Sequence, residues 1–553
     1  MSVTESEESA GGRSGAGLRR DLGLVGLLFT GVGSIIGSGW LFGALNAAQI
    51  AGPAAIFSWA LATVMILLIG LVYAELGTMF PISGGVVRFP HLAFGSFASY
   101  SMGWITWLAS VAVAPIEVEA VLQYSSGLAD FTREVEVSGD TVHTLTGLGG
   151  IVAVLLMALF TLINYLGVRY FARINNVLVW WKLLVIAVVI VAFLVVAFNG
   201  VNFSSFGFAP AGAEGVFSAI ASAGIVFSFL GFRQGVELAG ETSNPKRNVP
   251  VAVIGSVLIC GIIYVLLQVA FLGAVNPADL SRSGGWESLS FANDFGPLAA
   301  IAGLIGLVWL AVVLYVDAVV SPGDTGLIYL AATTRMAYAM GRNGNAPRSL
   351  SNVNRNGVPW IALLVSFVLG LVFFLPFPSW PQLVSFITSA TVLSFGSGPL
   401  VLAALRRRIP DQPRTFKLPG GDVIPFLAFF SANMIVLWAG WDTNWKLMIG
   451  VLIGFVLLPI FHVTSRGTAP PLEFRSGYWV LVWLAGLTLI SWLSDYEGLG
   501  VLHLGWAALC ILALTVLVFV LGLRTMLSTE AIEEHIAGTT REAQHEETVL
   551  GKE

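Results

Sequence analysis

The chain is poor in charge and almost without cysteine. Of its 553 residues only 11% are Asp, Glu, Lys or Arg, against 56% hydrophobic, and the mean hydropathy is +0.85. That balance excludes an ordinary soluble domain. The two cysteines, Cys260 and Cys510, lie far apart inside apolar stretches, which argues against both disulfides and metal sites. No Walker, Rossmann or zinc pattern occurs, and no hydrophilic stretch is long enough for a nucleotide-binding domain. No cofactor, no metal and no ATP are therefore expected. A net charge of −5 carries no signal for nucleic acid. No nucleophile and base form a pattern beyond chance, so the chain does not read as an enzyme. Residues 1–22 are rich in Ser, Gly and Glu and hold no apolar core; they read as a disordered cytosolic arm, not a cleaved signal.

What the chain has is apolar length. Fourteen segments approach or exceed the roughly 20 residues that span a bilayer. They run about 24–47, 54–80, 97–125, 150–167, 176–199, 216–239, 250–275, 298–340, 359–377, 381–405, 423–441, 445–463, 478–495 and 501–523. The eighth is too long for one straight span, so part of it is expected to continue as helix into the cytosol. With the N-terminus inside, 22 of the 27 Lys and Arg fall in cytoplasmic segments and only Arg133, Arg282 and Lys446 fall outside. Such a bias satisfies the positive-inside rule and places both termini in the cytosol of a multi-pass protein of the cell membrane. The outer loops at 127–149 and 276–296 lean acidic.

The first apolar segment carries Gly31, Gly33, Gly37 and Gly39 with Ser34 and Ser38. Each glycine weakens a helix by roughly 1 kcal/mol relative to alanine. Two readings stand. Unwound backbone in a membrane is tolerated where it faces protein, a ligand or a wet cavity, which makes a binding site for a polar solute. Small residues equally allow close helix packing. Charges inside the apolar segments point the same way as the first reading, since each costs about 2.5–3.5 kcal/mol on insertion scales and so marks function. They are Glu117, Glu119, Lys182, Arg233, Glu237, Asp317 and Asp324. Glu75 and Glu241 lie at inner segment ends, where a gating role and an interfacial charge are both open.

The run Ile36-Gly37-Ser38-Gly39-Trp40 resembles the first-helix motif of the amino acid–polyamine–organocation (APC) transporters. So do Ala74-Glu75-Leu76-Gly77 with Pro81 and Ser83-Gly84-Gly85. Phe229-Leu230-Gly231-Phe232 leads to Glu241 and Asn244-Pro245-Lys246-Arg247-Asn248-Val249-Pro250, and Thr334-Arg335 precedes Pro347, all in the family's order. Gly37-Ser38-Gly39-Trp40-Leu41-Phe42, Ile116-Glu117-Val118, Asp317-Ala318 with Ser321-Pro322-Gly323, and Pro376-Phe377-Pro378-Ser379-Trp380 are most similar to the bacterial aspartate–proton symporter branch.

The resemblance implies an all-α polytopic fold of two inverted five-helix repeats, with helices 1 and 6 broken, plus four accessory helices. The corresponding division is 1–22, 23–200, 201–408, 409–523 and 524–553. The sixth break is expected at Gly231. Carried over, a substrate carboxylate would meet the amides of Ser38 and Gly39, and its ammonium the carbonyls of Ile35, Phe227 and Leu230. Ile36, Gly37, Phe229 and Arg233 complete the expected substrate site. Lys182 matches a fifth-helix lysine of proton-coupled members, although a snorkelling lysine is the alternative. Asp324 departs from the family pattern and is expected to pair with Lys182. Glu117 and Asp317 are further candidates for proton coupling. Arg233 would meet a substrate side-chain carboxylate or be neutralised by Glu237. The implied activity is import of an amino acid, L-aspartate or glutamate, with protons. An exchanger on the same fold is the alternative, ahead of a channel or sensor. The expected partners are the amino acid, protons and membrane lipids.

Overall fold

In lipid, a chain segment must satisfy its backbone internally, and long apolar runs therefore fold as helices. The computed structural model describes residues 22–538, apart from 83–84, 138–139, 167–170, 292–295, 343–345, 355–356, 376–378 and 465–470. Outside the described residues fall the N-terminal arm, Ser83 and Gly84, Arg169, Pro376, Phe377 and Pro378, and the tail beyond 538. Every one of the fourteen apolar segments contains helix. The chain runs α1 Leu24–Ile35, α2 Gly39–Ala51, α3 Ala55–Met79, α4 Gly85–Val111 and α5 Val113–Ser125. A hairpin of β1 Thr132–Val137 and β2 Asp140–Leu145 precedes α6 Gly147–Leu166 and α7 Phe171–Val196. Then come α8 Gly212–Ser222, α9 Gln234–Glu237, α10 Pro245–Ala274, α11 Pro277–Ser283, α12 Pro297–Leu304 and α13 Val308–Arg342. The remainder is α14 Trp360–Phe373, α15 Trp380–Phe395, α16 Ser397–Arg408, α17 Val423–Trp438, α18 Trp441–Thr464, α19 Phe474–Gly477, α20 Trp479–Leu493 and α21 Leu504–Thr525.

Among the described residues, ten helical stretches are long and apolar enough to cross a membrane, or eleven if the bent pair Gly212–Ser222 and Phe227–Glu237 is one span. Leu24–Ile35, Trp360–Phe373 and Val423–Trp438 are shorter apolar helices. The protein is a polytopic helical membrane protein. Three local expectations change. The third segment starts as helix at Gly85, not 97, and kinks at Gly95, where φ is +76°. The eighth divides at its other end, because Gly306 turns the chain at φ +83° between α12 and α13. Helix α13 alone, at 35 residues, is still about 52 Å long, well beyond the roughly 30 Å hydrocarbon core. The acidic loop at 127–149 folds as an antiparallel hairpin with Thr132 opposite Leu145; the alternation in Thr-Arg-Glu-Val-Glu-Val is the signal for it.

Glu75 is neither exposed nor interfacial. Its carboxylate is fully buried and accepts from Arg406 Nε at 2.9 Å, from Arg406 Nη2, and from the Leu418 amide at 2.7 Å, with Arg414 Nη1 at 3.6 Å. Two guanidiniums and an amide compensate the buried charge and tie the end of α3 to the end of α16 and the loop after it.

At the same end of the molecule the chain turns after α21 and a final helix, residues 529–538, lies back on α4. The Leu527 amide donates to Ala93 O at 3.0 Å, Ile532 is fully buried, and the ring of His535 stacks on that of His91 at 4.3 Å. His535 Nδ1 lies 3.0 Å from His91 O, and Nε2 lies 3.2 Å from Glu473 Oε1. Both partners are acceptors, so both ring nitrogens donate and the docked imidazole is the cation. Glu473 also accepts from the Ser96 amide at 2.8 Å, just past the kink. The bond to Glu473 raises the His535 pKa above its ordinary 6.5, against the effect of burial. Burial pushes Glu473 up, but His535 and the Ser96 amide outweigh it and leave it below 4.5. Other charged groups nearby are Glu534 beside His535 and Arg88 beside His91.

The raised histidine stabilises docking below pH 6.5 and loses that contribution as pH rises through its folded pKa. The lowered glutamate contributes above pH 4.5 and loses it as pH falls. The ion pair's own contribution to docking of 529–538 is therefore largest between pH 4.5 and 6.5, while the stacked His91, which must stay uncharged beside the His535 cation, opposes docking at acid pH. Amide exchange over 526–538, corrected for intrinsic rates, should be faster at pH 8.5 than at pH 7, and His535→Gln should flatten the difference. A flat wild-type profile would remove the ion pair from tail docking.

Candidate binding site at the two broken helices

The glycine-rich run breaks the first helix as expected: α1 ends at Ile35 and α2 begins at Gly39, with Ile36 at φ −87°, ψ +83°. The Gly37 amide turns to Ile35 O at 3.1 Å. Close packing is present as well. A β-carbon on Gly231 would lie 2.2 Å from Ser34 C and 2.4 Å from the Ile35 amide nitrogen, so the two interrupted helices meet backbone to backbone there. A β-carbon on Gly39 would lie 2.1 Å from Ser228 Oγ. The two readings of the glycines describe one arrangement. Consequently Gly39→Leu is a packing lesion and no clean probe of binding.

The interruption of the sixth segment lies at Ala223–Val226, ahead of the expected Gly231. Helix α8 ends at Ser222, Gly224 takes φ +88°, and a 3-10 turn runs Phe227–Arg233 before α9. The two parts are bent by 48°. Gly231 sits inside the tight turn, where the missing side chain permits the helix crossing.

Charged side chains surround the first break. Glu117, fully buried on α5, accepts from the Ser38 amide at 3.0 Å. An internal carboxylate thus occupies one of the two amides expected to receive a substrate carboxylate. Lys182 does not snorkel: it is fully buried, its Nζ lies 2.8 Å from Asp324 Oδ2, and it donates to Gly33 O at 3.2 Å and Thr325 Oγ1 at 3.4 Å. The ion pair with Asp324 is therefore present, against the back of the break. Arg233 Nε stands 3.6 Å from Glu237 Oε1, Nη2 donates to Ser110 Oγ at 2.9 Å, and the guanidinium lies 5.1 Å over the Tyr329 ring. Its Nε and Nη1 have no hydrogen-bond partner among the described residues. Asp317 is held elsewhere on α13, by Trp181 Nε1 at 2.9 Å and by Ser321 Oγ at 2.8 Å. Both oxygens of Glu119, also buried on α5, lack hydrogen-bond partners among the described residues.

A cavity between the breaks is lined by Ile35, Gly37, Glu117, Phe227, Leu230 and Arg233, together with Ser34, Val113, Thr325, Tyr329 and Thr391. Its free volume of about 10 Å³ has room for about one water molecule. Six of the expected site residues thus line one cavity. Ile36 and Phe229 are buried but do not line the cavity, and Asp317 belongs to a separate hydrogen-bonded group. Sequence reasoning missed Tyr264, whose hydroxyl reaches Ile35 O at 3.2 Å, and Ser110, Thr325 and Tyr329, and it singled out Trp380 only as part of a motif. These lie far away in the chain on helices that look like ordinary apolar spans, so only a buried polar tip marks them.

Residues 22–468 match the model of a family described as amino acid permease. The chain belongs to the amino acid permease family. This permease is 38% identical over 525 residues to the glutamate/serine transporter AimA of Bacillus subtilis, with 94% of the chain and 96% of that relative covered. It is 36% identical over 489 residues to the aspartate-proton symporter of the same organism, with 88% and 92% covered. The branched-chain amino acid permease BcaP of B. subtilis is 30% identical over 460 residues, with 81% and 94% covered. The family expected from the first- and sixth-helix motifs is thus the one found.

Because Lys182 and Asp324 are both buried, removing one partner strands the other. Lys182→Met should destabilise the purified protein by roughly 3–5 kcal/mol, and Lys182→Met with Asp324→Leu should recover most of it. Thermal unfolding in detergent measures both. A double variant as unstable as the single one would show that the pair is not what holds the site together.

Proposed function

We propose that this permease imports an acidic amino acid, L-aspartate or glutamate, by proton symport across the cell membrane. The observation that carries the proposal is the Glu117 carboxylate on the Ser38 amide. A backbone donor at a helix break that accepts one carboxylate is suited to another. When Glu117 takes up a proton it becomes a weaker acceptor and frees the amide for the carboxylate of the substrate. Substrate and proton then arrive together, and neither is favoured alone. The ammonium goes to the carbonyls of Ile35, Phe227 and Leu230, with Ile36, Gly37, Gly39 and Phe229 shaping the pocket, and the unused donors of Arg233 face a side-chain carboxylate. Lys182, paired with Asp324 behind the break, transmits the protonation state to the first helix, while Asp317, held by Trp181 and Ser321, stands apart. Support for acidic substrates and for protons comes from the names of two relatives, a glutamate/serine transporter and an aspartate-proton symporter.

In this reading residues 23–200 and 201–408 are the two inverted repeats, 409–523 the accessory helices, and 1–22 and 524–553 cytosolic. The tight cavity is an occluded stage, and alternating access follows when the broken helices separate on one side at a time. A ligand drives such a change only by its differential affinity for the two states.

Proteoliposomes carrying the protein should accumulate labelled aspartate under an inward proton gradient, with glutamate competing. Lys182→Ala should abolish gradient-driven accumulation because it leaves Asp324 unpaired behind the break, and so should Lys182→Arg, whose forked guanidinium does not reproduce the ammonium's contacts with Asp324, Gly33 O and Thr325. Glu117→Gln should lose accumulation yet keep aspartate counterflow. Gradient-independent wild-type uptake that requires internal amino acid would establish exchange instead. Carriage of serine or branched-chain substrates with no competition from aspartate would overturn the substrate class.

A further inference from the structure

The tryptophan that closes the motif Pro376-Phe377-Pro378-Ser379-Trp380 has no part in the proposed chemistry, yet it touches both helix breaks. Trp380 opens α15 and is 1% exposed. Its Nε1 donates to Ser38 Oγ at 3.0 Å. Its ring lies 4.9 Å from that of Phe42 on α2 and 6.1 Å from that of Phe227, which begins the 3-10 turn after the second break. On the other side, a β-carbon at Gly224 would lie 2.8 Å from Trp380 Cη2, in a residue whose φ of +88° already favours glycine. The indole thus fills the space between the first residues of α2 and the last of α8. Ser38 is held twice, by its amide on Glu117 and by its hydroxyl on Trp380.

We propose that Trp380 is the latch of the extracellular gate: its ring seals the gap between the outer halves of the two broken helices, and its bond to Ser38 must break before the site opens to the outside. The proposal rests on the transport reading for the location of the site and on the expected orientation, which puts the start of α15 outside. The physical reason is directional. The ring is wedged against backbone at Gly224 and against Phe42 and Phe227, so α2 cannot part from α8 on this side without moving away from the indole. The polar Nε1, which would otherwise be a buried donor with no partner, favours the closed arrangement. Trp380 is a positioning residue and touches the break, not the reacting proton.

The test is accessibility, which needs neither substrate nor proton gradient. In a Cys260→Ala, Cys510→Ala background, Val113→Cys places a thiol at the cavity wall. An impermeant methanethiosulfonate reagent is added from outside to right-side-out vesicles, and from the opposite face to inverted ones. Trp380→Phe keeps the ring and removes the donor; it should raise external labelling roughly threefold to tenfold, the population shift of one net hydrogen bond. Ser38→Ala removes the acceptor and should match it, and Trp380→Ala should label faster still. If Trp380→Ala does not fold, the Phe and Ser38 variants decide alone. External labelling unchanged in both would overturn the latch, and so would an increase confined to the opposite face. Should the protein carry no acidic amino acid, the proposed function falls while the labelling result keeps its meaning.

Discussion

Two backbones touch where Gly231 meets Ser34 and Ile35, and the rest of the site follows from that contact. Neither chain can approach so closely with a side chain between them. Once they do, neither helix continues as a regular helix on both sides of the crossing, and amides and carbonyls are freed in a region without bulk water. Those groups must find partners within the protein. Glu117, Tyr264 and Lys182 supply them for the first break, at Ser38, Ile35 and Gly33 respectively. Two of the buried charges, Glu117 and Lys182, are therefore counterparts of broken backbone.

That view also orders the remaining buried charges. Lys182 and Asp324 neutralise each other, and Glu75 is held by Arg406 and Arg414 where α3 meets α16 and the loop after it. Arg233 is the partial case. Its contact with Glu237 is long and two of its nitrogens lack a hydrogen bond among the described residues. A buried guanidinium with spare donors in the wall of a small cavity is the group to which the proposed function assigns a side-chain carboxylate of the substrate.

Much of this was legible in the sequence. Apolar length marked where helix forms, though ten or eleven stretches among the described residues, not fourteen, are long enough to cross a membrane, and the Gly-Ser run gave the first break, because both signals are local. The Lys182–Asp324 pair was expected from the family resemblance, which sets position 324 beside the fifth-helix lysine. The second break was misplaced at Gly231 because a glycine between aromatics marks either an interruption or a crossing, and here it is the crossing. The hairpin at 132–145 and the docked tail helix escaped notice since their partners lie in loops or at chain ends. Trp380 was noticed only as part of a motif. Nothing local to an apolar helix start says that its indole will reach a serine 342 residues away.

Helix α15 has a further tether. Ser389, nine residues beyond Trp380, donates to Asn444 Oδ1 at 3.2 Å, and Asn444 in turn donates to Val436 O at 2.7 Å and to Ser491 Oγ at 3.0 Å. Asn444 is 1% exposed, so these bonds join α15 to α17, α18 and α20 in a dry setting where exchanging partners with water is not available. The indole is carried on a helix moored to the late part of the chain. If the proposed gate opens at this face, the broken helices would move relative to a helix that these bonds join to the later part of the chain.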